Sequence, residues 1–233
     1  MDLKELDLVD PHEHWYYQTK LTAIKGALQQ CGYAGGPVVD VGAGSGFFAT
    51  EVVGEYPGGH AWCVDPNYAE SEIGTTGSVD FVREVSSDQI ASASVVLFID
   101  VLEHVEDDIG LLRSYVMNCR PGTNVVITVP AFASLWSAHD VFLDHYRRYR
   151  LSDVESVARA SGLEIVHSRY LFGTTFLPLW MLRRMTRNTE PKSQMKSVPQ
   201  WINSALTKLL NVEHRGSWNP IAGSSVLLVA RVP

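Results

Sequence analysis

Short apolar runs alternate with longer amphipathic stretches along most of the chain. Val38–Val41, His60–Val64, Ser78–Val85, Ser94–Ile99 and Asn124–Pro130 are each four to eight residues long and rich in Val, Ile and Phe. The best of them show no polar/apolar alternation, which marks strands covered on both faces, as in a parallel sheet. Between them lie helical patterns. One runs from about His12 to Gln30, with Leu21, Ile24, Ala27 and Leu28 on one face. A second spans about 46–54. A third spans Asp107–Cys119, with Ile109, Leu112 and Val116 in register, and Arg120-Pro121-Gly122 closes it. Strands alternating with helices predict an α/β chain with a doubly wound sheet.

Beyond residue 130 the pattern loosens. Ala131–Arg150 reads as a long loop, and its aromatic and histidine content sets it apart from a disordered tract. It leaves the carboxyl end of the fifth strand, the edge where open α/β sheets bind ligands, so an acceptor site is expected here. Ser152-Asp153-Val154-Glu155 has the form of a capping box opening a helix to about Ala160, and Gly162–Val166 begins a sixth strand. Tyr170–Leu182 is a run of 13 uncharged residues with arginines just outside it. It is too short to span a bilayer, and Pro178 interrupts it. It fits either an interfacial helix or a lid, so peripheral membrane contact through 170–187 is one expectation. Thr189–Pro199 reads as a mobile loop. Pro199–Leu210 reads as a helix carrying Ile202, Ala205, Leu206 and Leu209 on one face, and Gly223–Val232 as a last strand. The expected division is a single domain over 1–233. It comprises an N-terminal helical cap (1–36), a core (37–172 and 222–233) and a lid insertion (173–221).

The bulk numbers change this picture in one respect. A 45% hydrophobic, 19% charged composition is ordinary for a globular domain. The net charge of −7 is divided unevenly: residues 131–215 carry +5 and the remainder −12. An acidic chain disfavours general nucleic-acid binding, while a local basic region permits an anionic substrate or a membrane surface. Three cysteines without metal or disulfide spacing, and no basic-then-apolar leader at Met1–Glu5, lead to the expectation of a reducing, cytoplasmic location.

Candidate chemistry begins at the first strand. Asp40-Val41-Gly42-Ala43-Gly44-Ser45-Gly46 ends a buried strand and opens a helix. Glycines there allow a tight turn and bare backbone against a ligand. The helix start offers free N–H groups. The spacing is not the dinucleotide fingerprint, whose third glycine would fall on Phe47, and no P-loop lysine follows. Asp65 ends the second strand 19 residues beyond Gly46, where a carboxylate can accept from two ribose hydroxyls, or form a simple turn before Pro66.

Asp40-x-Gly42-x-Gly44-x-Gly46, the acid at Asp65, Val101-Leu102-Glu103-His104-Val105 after an apolar strand, and the helix–Arg-Pro-Gly–strand passage together resemble class I S-adenosylmethionine-dependent methyltransferases. The resemblance covers roughly 37–172 and the last strand. It implies a seven-stranded, Rossmann-like sheet, mostly parallel with the last strand antiparallel, bearing a helical lid insertion. It implies S-adenosylmethionine as methyl donor. Asp40, Gly42, Gly44 and Gly46 would contact its methionine end, Asp65 its ribose, the loop Ser86–Asp88 its adenine, and Asp100 the region near the sulfonium.

An oxygen acceptor also needs its proton removed. His145 and His139 are the candidates, with Asp140 or Asp144 as orienting groups. Asp100-x-x-Glu103-His104 with Asp144-His145 also resembles the metal-binding set of some small-RNA and quinone-precursor O-methyltransferases, although Asp stands where that set has Glu. The expected function is methyl transfer to a small molecule, at an oxygen of a natural product, saccharide or lipid-linked acceptor. The alternatives are a nucleic-acid or protein methyltransferase and a nicotinamide-binding oxidoreductase.

Overall fold

The computed structural model describes residues 9–185, 198–215, 219 and 221–233. Helix α1 (Trp15–Gln30) leads into β1 (Val38–Val41), α2 (Phe47–Val53), β2 (Ala61–Val64), β3 (Gly74–Thr76), β4 (Val79–Val82), α3 (Ser87–Ser92) and β5 (Val95–Ile99). Then follow α4 (Asp108–Val116), β6 (Asn124–Pro130), α5 (Ala138–Phe142), α6 (Leu151–Ala160), β7 (Glu164–Leu171), α7 (Gly173–Met185), α8 (Gln200–Arg215) and β8 (Ser225–Arg231).

The strands form one sheet in the order β3-β4-β2-β1-β5-β6-β8-β7. β4, β2, β1, β5 and β6 run parallel, and β8 pairs antiparallel with both β6 and β7. The order reverses between β1 and β5, so the carboxyl ends of these two strands flank a crevice of the kind that takes ligands. The doubly wound expectation therefore holds, with a correction to the strand count. β3 is an eighth strand, a wholly exposed three-residue ribbon on β4. Its sequence, Gly-Thr-Thr, buries nothing and so left no apolar signal.

Side chains alternate between two cores. Val38, Leu97, Val126 and Leu227 face α1 and α2. Val39, Phe98, Ile127 and Leu228 face α4 and α6. Each such residue, fully buried, contributes about 1.5–3 kcal/mol of hydrophobic stabilisation. Both faces are covered, which is why these strands lack alternation.

Three local expectations are corrected. Helix α1 begins at Trp15 rather than His12, because the His14 ring nitrogen caps it by accepting from Tyr16 N at 3.3 Å. Helix α6 begins one residue before the expected box. Asp153 accepts from Arg150 N at 2.8 Å, and Glu155 instead takes the Ser168 hydroxyl at 2.6 Å. Helix α7 passes through Pro178. Its first turn is held by Glu213 of α8, whose oxygens accept from Gly173 N at 2.7 Å and Thr174 N at 2.9 Å. A carboxylate there answers the free N–H groups and the positive end of the helix dipole. Most of the loop expected at Thr189–Pro199 lies outside the described residues.

Candidate active site

The glycine turn sits at the carboxyl end of β1. Gly42, Gly44 and Gly46 have φ of 64°, 52° and 69°, left-handed conformations that suit glycine. Space is as restrictive as torsion. A Cβ on Gly42 would lie 2.8 Å from Val101 Cγ2, and one on Gly46 would lie 2.6 Å from Phe81 Cε1. The N–H groups of Gly42 and Ala43 are held by Val64 O. The turn is thus pinned to β2.

Two acids frame the turn differently. Asp40, facing α2 from β1, is almost wholly buried. Burial pushes its carboxyl up to about 7, against the opposing hydrogen bond from Ala49 backbone. Asp65 follows β2. Its Oδ2 accepts from Gly44 N at 3.3 Å and its Oδ1 from Asn67 N at 2.9 Å. A carboxylate has about four acceptor positions, so two remain for other donors. Tyr68 completes the frame by donating to Gly44 O at 2.6 Å. Ser86 is exposed and caps α3 through Gln89 N at 3.3 Å. Asp88 is exposed in the first turn of the same helix.

Asp100, just beyond β5, has a φ of 56°, a strained value for a non-glycine residue. Its carboxylate bonds the Lys20 ammonium and accepts from Thr128 Oγ1 at 3.0 Å. Burial acts to raise its pKa, but Lys20 holds it below the ordinary carboxylate range. Lys20 has no exposed surface and donates to Tyr16 Oη at 2.6 Å. Burial acts to lower the Lys20 pKa, and Asp100 and Tyr16 override it, so the ammonium stays charged. Lys20 was missed in the sequence. Its signal was its place four residues before Ile24 on the apolar face of α1, one turn beyond Tyr16.

A second constellation follows. Asp140 has no exposed surface, and its Oδ1 meets His145 Nδ1 at 3.0 Å and Arg148 Nε at 2.6 Å. Its Oδ2 accepts from Ser137 N at 2.8 Å and lies 3.8 Å from Arg183 Nη1 of α7. Burial alone would raise this carboxyl, but His145 and Arg148 hold it well below the usual range. Of the two orienting candidates, Asp140 meets the base candidate His145 through its side chain; Asp144 is exposed.

The His145 ring stands edge-on to His104, with centroids 4.6 Å apart. Glu103 is buried beside them, and burial, then the Asp100 charge, push its carboxyl well above its ordinary range. Its Oε2 has no hydrogen-bond partner. One ligand atom each from Glu103, His104 and His145 lie within 4.8 Å of one another. His139 belongs to the same region, but burial and then the nearby Arg183 lower its pKa to about 4.

With this geometry in view, a family model described as "Methyltransferase domain" matches residues 12–168, two thirds of the chain. The chain belongs to this methyltransferase family. The methyltransferase takes S-adenosylmethionine as its donor, as the turn and the paired acids lead one to expect. The nicotinamide alternative is thereby set aside.

Similar solved structures carry the same fold. One is a chain of the complex between the Haloferax volcanii Trm112 methyltransferase activator and its methyltransferase. It is 16% identical, with 95% of this chain and 90% of that one covered at a TM-score of 0.56. Another is an S-adenosylmethionine-dependent methyltransferase from Mesorhizobium loti, 15% identical, with 85% and 92% covered at a TM-score of 0.53. A third is the mitomycin 7-O-methyltransferase MmcR, 14% identical, with 93% of this chain and 54% of that one covered at a TM-score of 0.55. No curated protein matches in sequence.

Proposed function

We propose that this methyltransferase methylates an oxygen of a small-molecule acceptor, a natural product, saccharide or lipid-linked compound, with His145 as the base. The observation that carries this reading is the His145–Asp140 pair at 3.0 Å. An ionised Asp140 only accepts, so the hydrogen of His145 resides on Nδ1, and Nε2 keeps its lone pair for a substrate proton. The sulfonium methyl is electrophilic without help, so alignment for in-line attack supplies much of the rate. The glycine turn would hold the donor's methionine end, Asp65 the ribose, the Ser86 loop the adenine, and Asp100 the neighbourhood of the sulfonium. His139, its pKa lowered by burial and then by Arg183, is left uncharged and weakened as a base.

A second role for His145 has its own support. Glu103, His104 and His145 together could ligate a divalent ion, because Glu103 Oε2 is buried and unpartnered. Asp140 on the other nitrogen of His145 is the outer partner that such histidines commonly have. Asp100 would not join the set while Lys20 holds it. A mixed carboxylate–imidazole set suits a transition ion, which would orient the acceptor oxygen and lower its pKa.

A panel of hydroxylated acceptors with labelled donor tests the main reading. Transfer to oxygen that survives dialysis against a chelator assigns His145 as base. Loss on chelation, restored by manganese or zinc, assigns it as ligand. Label appearing only on protein or RNA would overturn the small-molecule reading in favour of the macromolecular alternative.

A further inference from the structure

Helices α7 and α8 each bury one face and expose an apolar one. On α7, Leu177, Met181 and Leu182 are more than half exposed, one turn apart, while Arg183 turns inward to Leu135 O. On α8, Trp201 is 74% and Val212 66% exposed, and Ala205 and Leu209 continue the stripe at helical spacing. Leu210 and His214 lie on the buried side.

Among the described residues of α7 and α8, the exposed charges are cationic. Arg184 is exposed beside Trp180, with its guanidinium 5.0 Å from the ring centroid, and Lys208 is exposed within the α8 stripe. Helix α7 contains no acid. The single acid of α8, Glu213, is engaged by the first turn of α7. In sequence alone, residues 173–215 carry seven Lys/Arg against two Glu in a chain whose net charge is −7.

We propose that the outer faces of α7 and α8 dock on an anionic lipid bilayer. Helices with one apolar and cationic face lie in the plane of such an interface, with basic stems snorkelling to the headgroups. Among the described residues no helix is long and apolar enough to cross a membrane, so contact would be peripheral. Charge complementarity selects the occupant. A second copy related by a twofold axis would bring Arg184 and Lys208 against their own counterparts. The acidic remainder of the chain is repelled by anionic lipid, which leaves this face to make the approach. The purpose of the contact rests on the proposed function: Arg183, on the inner side of α7, would put the His145–Asp140 pair one helix away from a lipid-linked acceptor.

Flotation of the full chain with phosphatidylcholine vesicles, with and without phosphatidylglycerol, tests the docking. The protein should float with the anionic vesicles, stay behind with the neutral ones, and be released by salt. Arg184→Glu with Lys208→Glu should lower the bound fraction by roughly tenfold or more. Met181→Gln with Trp201→Gln should also weaken it, with melting curves confirming a folded chain. Absence of flotation would overturn the proposal, as would binding indifferent to these substitutions. Self-association dissolved by the same substitutions would assign the face to a second copy and overturn it equally. Neither donor nor acceptor is needed, so a negative result here leaves methyl transfer standing, and inactivity on every acceptor leaves the flotation readable.

Discussion

His145 Nδ1 lies 3.0 Å from a carboxylate oxygen of Asp140, and that carboxylate is closed off from solvent. The pair fixes the ring's tautomer and anchors it to the start of α5. Replacing His145 should therefore act on chemistry more than on binding. His145→Ala is expected to lower kcat roughly 10²–10⁴-fold, the span of general acid–base catalysis. S-adenosylhomocysteine affinity by calorimetry should stay close to that of the parent. A matching loss of affinity would place His145 in the donor pocket instead.

Asp65→Asn keeps one acceptor for the turn and removes the charge. Hydrogen bonds to charged groups are worth about 1.5–3 kcal/mol, so S-adenosylhomocysteine affinity should fall roughly 10- to 100-fold. Unchanged affinity would free Asp65 from the ribose and leave it as a turn former.

The Lys20–Asp100 pair is buried on one side and partly open on the other, with 31% of the Asp100 side chain exposed. Breaking a buried pair costs about 3–5 kcal/mol, and partial exposure brings the expectation toward the lower end. Lys20→Met should lower the denaturation midpoint accordingly. Adding Asp100→Asn should recover much of the loss. A double-mutant cycle with no coupling would show that the pair is incidental.

Gly46→Ala combines left-handed strain of about 1–2 kcal/mol with contact against Phe81. Thermal melts should show the loss, and Phe81→Leu should relieve the part that is steric. Complete rescue would mean that torsion costs nothing here.

The pH dependence of stability carries two opposed contributions. Asp40 titrates near 7 when folded against an ordinary 3.8. Its raised pKa contributes stability below 3.8 that is lost as pH climbs through 7. His139 titrates near 4 against 6.5. Its depressed pKa contributes stability above 6.5 that is lost as pH falls toward 4. Asp40→Asn should therefore gain on the parent as pH rises from 3.8 to about 7, and His139→Gln should gain as pH falls from 6.5 to about 4. Melting temperatures across pH check both signs, and parallel curves would refute them.

The sheet was legible because strands buried on both faces leave unbroken apolar runs, and its glycine turn because torsion and contact both demand glycine. β3 was not, since an exposed edge ribbon buries nothing. Lys20 was hidden by its type: a lysine on an apolar helix face reads as solvated until Asp100, 80 residues away, is seen to meet it. The Ser152–Glu155 box shows the converse. The right residues stood at the right spacing, but Ser168 drew Glu155 away and Asp153 capped two positions earlier. The Asp140–His145 cluster was half visible. His145 and Asp140 lie five residues apart, whereas Arg183 arrives from α7 and only folding brings it to Asp140.

Glu213 joins these distant parts mechanically. It fastens the first turn of α7 to α8, α8 rests on α1, and α7 delivers Arg183 to the aspartate behind His145. Displacing either outer helix would therefore tug on the anchor of His145, and under the role proposed for that residue turnover would register what the exterior of the protein is touching.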